Sequence, residues 1–188
     1  LGFEIGQALA ARMGYKLVYR ELINQAAIRA GAPEVALVMI DELNLLGICP
    51  SPEHCQAYIR AVDGVLHELA DQGEVVIVGR GGQLVLKDHP EAVHVRIIAP
   101  LEVRVIRVAA NRKVTPIAAL AQIQASDRSR RLYFQKFYQT NWDDPALYDL
   151  TINTAWIEIE TAVEMICQIL ALPRRESAKK KPIEDTPA

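Results

Sequence analysis

The segment Val78-Gly79-Arg80-Gly81-Gly82 sets one arginine among glycines, directly after an apolar run. A guanidinium grips a phosphate through two parallel hydrogen bonds, and glycines let a ligand come close to the backbone. A tight turn with a surface arginine would have the same spelling. The run Gly79-Arg80-Gly81-Gly82-Gln83-Leu84 lacks the last glycine of a dinucleotide fingerprint. A second group is Asp127-Arg128-Ser129-Arg130-Arg131, inside a long helical pattern. Arg128 and Arg131 stand three apart and share a helix face. Phosphoryl transfer needs cations on the transferring group and exclusion of water. A movable arginine-bearing helix supplies both, although a solvated basic face reads the same way. Arg104 and Arg107 repeat the i, i+3 spacing beside Val103, Val105 and Ile106. Gly2 opens an amphipathic helix, where backbone N–H groups and the helix dipole can meet an anion; a glycine there also serves as a plain cap.

These residues need elements to hold them. Ile5, Leu9 and Met13 fall on one face of a helix over Phe3–Met13, which Gly14 stops. A short strand follows over Tyr15–Tyr19. Helices are predicted over Glu21–Ala30 and Pro33–Leu46, divided by Gly31-Ala32-Pro33. Ser51 and Pro52 make an N-cap and first-turn pair for a long helix to Asp71. Residues 74–79 form an unbroken apolar run closed by glycine, which suits a strand buried on both faces of a parallel sheet. Val93–Ala99 and Tyr148–Asn153 are further strands, with helices near 101–113, 115–139 and 157–171. Strands alternating with helices imply an α/β, doubly wound parallel sheet, whose ligands gather at the carboxyl ends of its strands. Tyr133, Phe134, Phe137 and Tyr138 read as core packing before a base-stacking platform.

The 188 residues suffice for one domain with a core. A net charge of −2 disfavours a general nucleic-acid or anionic-membrane binder. No apolar run reaches a membrane span, and none reads as a secretory signal. Cys49, Cys55 and Cys167 fit no zinc or redox spacing and read as reduced thiols, and the histidines never pair as metal ligands, so no metal site is expected. Residues 173–188 are polar and aperiodic, as in a disordered tail.

Taken in order, LGFEIGQALAARMGYKLVYRELINQAA, VVIVGRGGQLVLKDHPEAVHVRIIAPLEVRVIRV, SDRSRR and WDDPALYDLTINTA resemble the cytidylate-kinase-like proteins, which are P-loop kinases. The resemblance covers about residues 1–171. It implies a cytoplasmic enzyme that passes a phosphoryl group from ATP, as its Mg2+ complex, to a nucleoside monophosphate, CMP or dCMP first. Arg80 would hold the acceptor's phosphate, and Arg20 falls in the acceptor segment. Gly2 would be the last glycine of the phosphate loop, with Arg104 and Arg107 near the ATP side. Asp127, Arg128, Arg130 and Arg131 overlie a lid-like helix that contacts both nucleotides. The resemblance also places the family's first strand and earlier loop glycines ahead of Leu1, so the kinase-like domain of residues 1–172 is expected to lack a central strand. Phe3 stands where the family's phosphate-loop lysine belongs, and Glu4 where a hydroxyl would ligate magnesium. The rival expectation is therefore a nucleotide-binding pseudokinase or sensor without turnover.

Overall fold

The computed structural model describes residues 1–29, 31–32 and 52–173. The helix expected at 33–46 and the tail beyond Pro173 lie outside them. Helix α1 (Gly2–Met13) turns Ile5, Gly6, Leu9 and Ala10 inward and ends on Gly14, whose φ of 71° is the left-handed cap that glycine adopts without strain. Strand β1 (Lys16–Tyr19) runs directly into α2 (Arg20–Arg29). Helix α3 (Pro52–Gln72) buries Cys55, Tyr58, Val62, Val65 and Leu66 at helical spacing. Next come β2 (Val75–Val78), the single-turn α4 (Gly82–Val85), β3 (Val95–Ile98) and α5 (Leu101–Arg112). Helix α6 (Pro116–Tyr138) starts at Thr115, whose hydroxyl accepts the Ala118 N–H, with Pro116 in the first turn. A turn of 3-10 helix (Pro145–Leu147), β4 (Leu150–Asn153) and α7 (Ile159–Leu170) complete the described order. Each of these strands and each longer helix lies within about two residues of its expected bounds, whereas α4 has no counterpart among the expected elements.

The strands pair in parallel but form two sheets rather than one. β1 lies on β2 with Lys16 opposite Val75, and β3 lies on β4 with Val95 opposite Leu150. No ladder joins β2 to β3. The chain is thus an α/β protein whose described residues form two small parallel sheets, and the expected continuous doubly wound sheet is not seen among them. The physical reason is visible in the strands. Val75–Val78 and Val95–Ile98 are almost wholly apolar, yet every one of these positions is only half-buried. A cavity of about 1270 Å³ takes in Val76 and Val78 from β2 together with Val95 and Ile97 from β3.

Helix α1 reaches both sheets. A Cβ on Gly6 would stand 2.8 Å from Val78 Cγ2, and one on Gly2 would stand 3.9 Å from Ile97 Cβ. One core gathers Tyr58, Val62, Leu66 and Phe134 from α3 and α6. The other gathers Ile5, Leu9, Ile152, Val163 and Ile166 from α1, β4 and α7. Each such buried aliphatic side chain contributes about 1.5–3 kcal/mol against exposure. Tyr133 and Phe134 are core, as their pattern predicts. Cys167 is a free thiol that rests on the Met13 sulfur at 3.7 Å. Cys55 is buried.

Candidate functional site

At the carboxyl end of β2, Gly79, Arg80 and Gly81 adopt φ of 89°, 56° and 73° in succession. Glycine takes this conformation freely, whereas Arg80 does so at a cost of about 1–2 kcal/mol. The turn directs the chain into α4 and leaves Arg80 only 2% exposed. None of its Nε, Nη1 and Nη2 atoms has a hydrogen-bond partner. A buried guanidinium without an anion costs several kcal/mol, and among the described residues none gives it a hydrogen-bond partner. The Tyr133 hydroxyl is likewise buried without a partner. Beneath the turn, the Tyr138 ring lies 3.5 Å from where a Gly81 Cβ would stand. The Tyr138 hydroxyl donates to Asp63 Oδ1 at 3.4 Å. Burial pushes the Tyr138 and Tyr133 phenols up, and also raises the Asp63 carboxyl above the usual carboxylate range.

Arg20 and Glu21 line the same cavity as Arg80. Arg20 Nη2 donates to Glu21 Oε1 at 2.8 Å. That bond, first among its causes, holds the Glu21 carboxyl below its ordinary value, and the charge of Arg80 adds to it. Phe3 stands nearby, edge-on to Tyr19 with ring centroids 5.4 Å apart.

The other wall carries groups that the sequence reading did not single out. Arg96, on β3, donates to the Asp143 carbonyl at 2.9 Å and to the Asp143 carboxylate. Its guanidinium lies 4.9 Å from the Trp142 ring centroid and 5.5 Å from that of Tyr148. Arg130 lies over Trp142 as well, at 5.0 Å. Arg96 Nε and Trp142 Nε1 are buried without partners. A charged residue inside the otherwise apolar Val95–Ile98 is a signal the sequence did contain, because a strand cation has to be neutralised or used.

The structure therefore brings Gly2, Arg20, Arg80 and Arg130 to one cavity. Arg104, Arg107, Arg128, Arg131 and Asp127 are not among the residues that line it. Arg104 donates to both carboxylate oxygens of Asp127, a contact that raises the guanidinium's pKa. Arg107 holds the turn after β4, donating to the Thr154 hydroxyl at 3.0 Å and the Thr154 carbonyl at 2.6 Å. Arg128 and Arg131 share an exposed face of α6.

The unpartnered buried groups of Arg80, Arg96 and Trp142 are all N–H donors. A ligand that satisfies them has to be rich in acceptors, as a phosphate ester is. The first turn of α1 fits a magnesium-bound triphosphate poorly: Phe3 brings no charge, and Glu4 brings a carboxylate among the helix's free N–H groups.

Residues 1–155 match the protein family described as cytidylate kinase-like. The chain belongs to that family. A cytidylate kinase of Desulfurococcus amylolyticus is 33% identical over 106 residues, 56% of this chain and 56% of that protein. One from Ignicoccus hospitalis is 28% identical over 166 residues, covering 88% and 90%. A uronate isomerase of Corynebacterium glutamicum is 35% identical over 107 residues, which are 57% of this chain but 20% of the isomerase. The match thus spans about half the length of the Desulfurococcus amylolyticus kinase and a fifth of the isomerase. A crystal structure of a protein from Eubacterium ventriosum shares the fold, with a TM-score of 0.69, 20% identity and 88% of each chain covered. Among the described residues of this cytidylate kinase-like chain, no helix is long and apolar enough to cross a membrane.

Proposed function

We propose that the chain binds a nucleoside monophosphate, CMP or dCMP first, as the acceptor in ATP-dependent phosphoryl transfer. The observation that carries this reading is the Arg80 guanidinium, buried at the end of a parallel strand with three unpartnered nitrogens. An acceptor phosphate there gains two parallel charge-assisted hydrogen bonds and relieves an uncompensated buried charge. Arg20 and Arg130 add cations to the same cavity. In the reaction, an oxygen of the monophosphate bonds to the γ-phosphorus of ATP as the bond to the β,γ-bridging oxygen breaks, and ADP leaves. No covalent enzyme intermediate is required; positioning and electrostatics do the work. Residues 1–172 act as one kinase-like domain, and the two sheets become one when a parallel strand fills the space between β2 and β3.

Calorimetric titration with CMP tests the acceptor site. Arg80→Ala should weaken CMP binding by about 2–5 kcal/mol and leave ATP binding nearly unchanged; equal CMP affinity removes Arg80 from the site. Phe3 and Glu4 in the first turn of α1 favour a second reading, a nucleotide sensor without turnover. CMP binding without CDP formation in the presence of ATP and magnesium would select it.

A further inference from the structure

Trp142, in the connection between α6 and β4, is held from several sides. Its ring carries the guanidinium of Arg96 at 4.9 Å and that of Arg130 at 5.0 Å. Phe134 of α6 lies nearly parallel to it, at 17° and 6.4 Å. Its carbonyl accepts the Tyr148 hydroxyl at 2.9 Å, and that hydroxyl accepts Gln83 Nε2 at 3.3 Å. Arg96 is itself fixed by Asp143. Arg130 is held far more loosely: its nearest carboxylate oxygen is that of Asp127 at 3.6 Å, and both oxygens of Asp127 already accept from Arg104. The ring face is therefore the main fixed surface against which Arg130 rests at the cavity. A π face attracts a guanidinium without neutralising it, so the full positive charge stays available to a phosphate.

We propose that Trp142 is a positioning residue, anchored by Arg96, that aims the Arg130 guanidinium at the phosphate groups bound in the cavity. This role is separate from any hydrogen bond that Trp142 Nε1 gives to the ligand. The inference rests on the phosphoryl-transfer reading for its kinetic consequence, but the contact between Trp142 and Arg130 is testable without it.

Two measurements separate the two. In a Trp156→Phe background, which removes the exposed second tryptophan, Trp142 is the single tryptophan reporter. Arg130→Gln in this nucleotide-free protein should shift the emission of Trp142; an unchanged spectrum overturns the proposal whether or not the chain is a kinase. In turnover assays with ATP, magnesium and CMP, Trp142→Leu and Arg130→Gln should each lower kcat by about 10²-fold, the scale of a slight misplacement of a reacting group. KM for CMP should stay within about threefold, and the double variant should be no worse than either single one. Trp142→Phe, which keeps a ring face, should recover most of the rate. Independent, multiplying losses in the double variant, or a Trp142→Leu protein as fast as the parent, would overturn the proposal. Absence of CDP from the parent protein defeats the kinase reading alone, and the emission shift then decides for or against the contact.

Discussion

Asp127 faces Arg104 across the packing of α5 on α6, with Arg104 Nη1 donating to Oδ1 at 3.0 Å and Nη2 to Oδ2. Both oxygens are engaged, and Arg130 approaches Oδ1 from one turn along α6. Asp127 is thus spent on Arg104, with Arg130 only at ion-pair distance, instead of presenting an open carboxylate to the cavity. Replacing it with alanine should cost about 1.5–3 kcal/mol, the worth of hydrogen bonds to a charged group. Arg104 Nε is already without a partner. Urea midpoints for Asp127→Ala and Arg104→Met, compared with their double variant, should reveal coupling; additive losses would mean that the pair contributes nothing as a pair.

Arg80 carries an opposition between stability and binding. A buried guanidinium without a partner opposes folding, so Arg80→Met should stabilise the nucleotide-free protein by about 1–4 kcal/mol and abolish CMP-induced stabilisation. Thermal melts with and without CMP check both halves. A destabilised Arg80→Met protein would show that the guanidinium is satisfied in the folded chain.

Gly6 is required by a close approach. A Cβ there would stand 2.8 Å from Val78 Cγ2, a stiff β-branched side chain on a strand. Gly6→Ala should destabilise by about 1–3 kcal/mol through overpacking. Combining it with Val78→Ala should recover part of the loss, because the second change removes the colliding methyl. Equal midpoints for the parent and Gly6→Ala would show that α1 moves away freely.

The Asp63 carboxyl has a raised pKa, with burial the largest cause; the Tyr138 hydroxyl and the charge of His67 act in the opposite direction. A carboxyl whose folded value lies above its unfolded value favours folding in its neutral form. That contribution is complete below the unfolded pKa of about 3.9 and is lost as pH rises through the folded value. Asp63→Asn keeps a partner for the Tyr138 hydroxyl and removes the ionisation. Its stability relative to the parent should rise as pH climbs above about 4. A difference that stays flat over that range would contradict the raised pKa.

The half-buried apolar strands β2 and β3 flank one cavity. If that space takes a strand, a version lengthened ahead of Leu1 by an apolar segment and short loop, about 10–15 residues, should unfold at higher urea concentration. It should also aggregate less, since unpaired apolar edges invite association. Equal midpoints for the two proteins would count against a strand in this position.

The sequence by itself determined the order and type of the elements. Unbroken apolar runs such as Val75–Val78, helical spacing such as Ile5 and Leu9, and stops such as Gly14 are local physics that one chain can express. It also marked Arg80, because an arginine between glycines after a buried strand is itself a local pattern. Pairing was not local. Whether β2 and β3 share a ladder depends on what lies between them, and only the tertiary structure showed two sheets with a cavity between their edges. The same holds for the arginines. Arg104, Arg107, Arg128, Arg130 and Arg131 all sit on helices with similar spacing, yet Arg104 braces α5 on α6 through Asp127, Arg107 holds the turn after β4, Arg128 and Arg131 face solvent and Arg130 reaches the cavity. Charge and spacing establish that a side chain can bind an anion; its neighbours in space decide whether that charge is already spent on Asp127 or Thr154, or remains available as it does at Arg80.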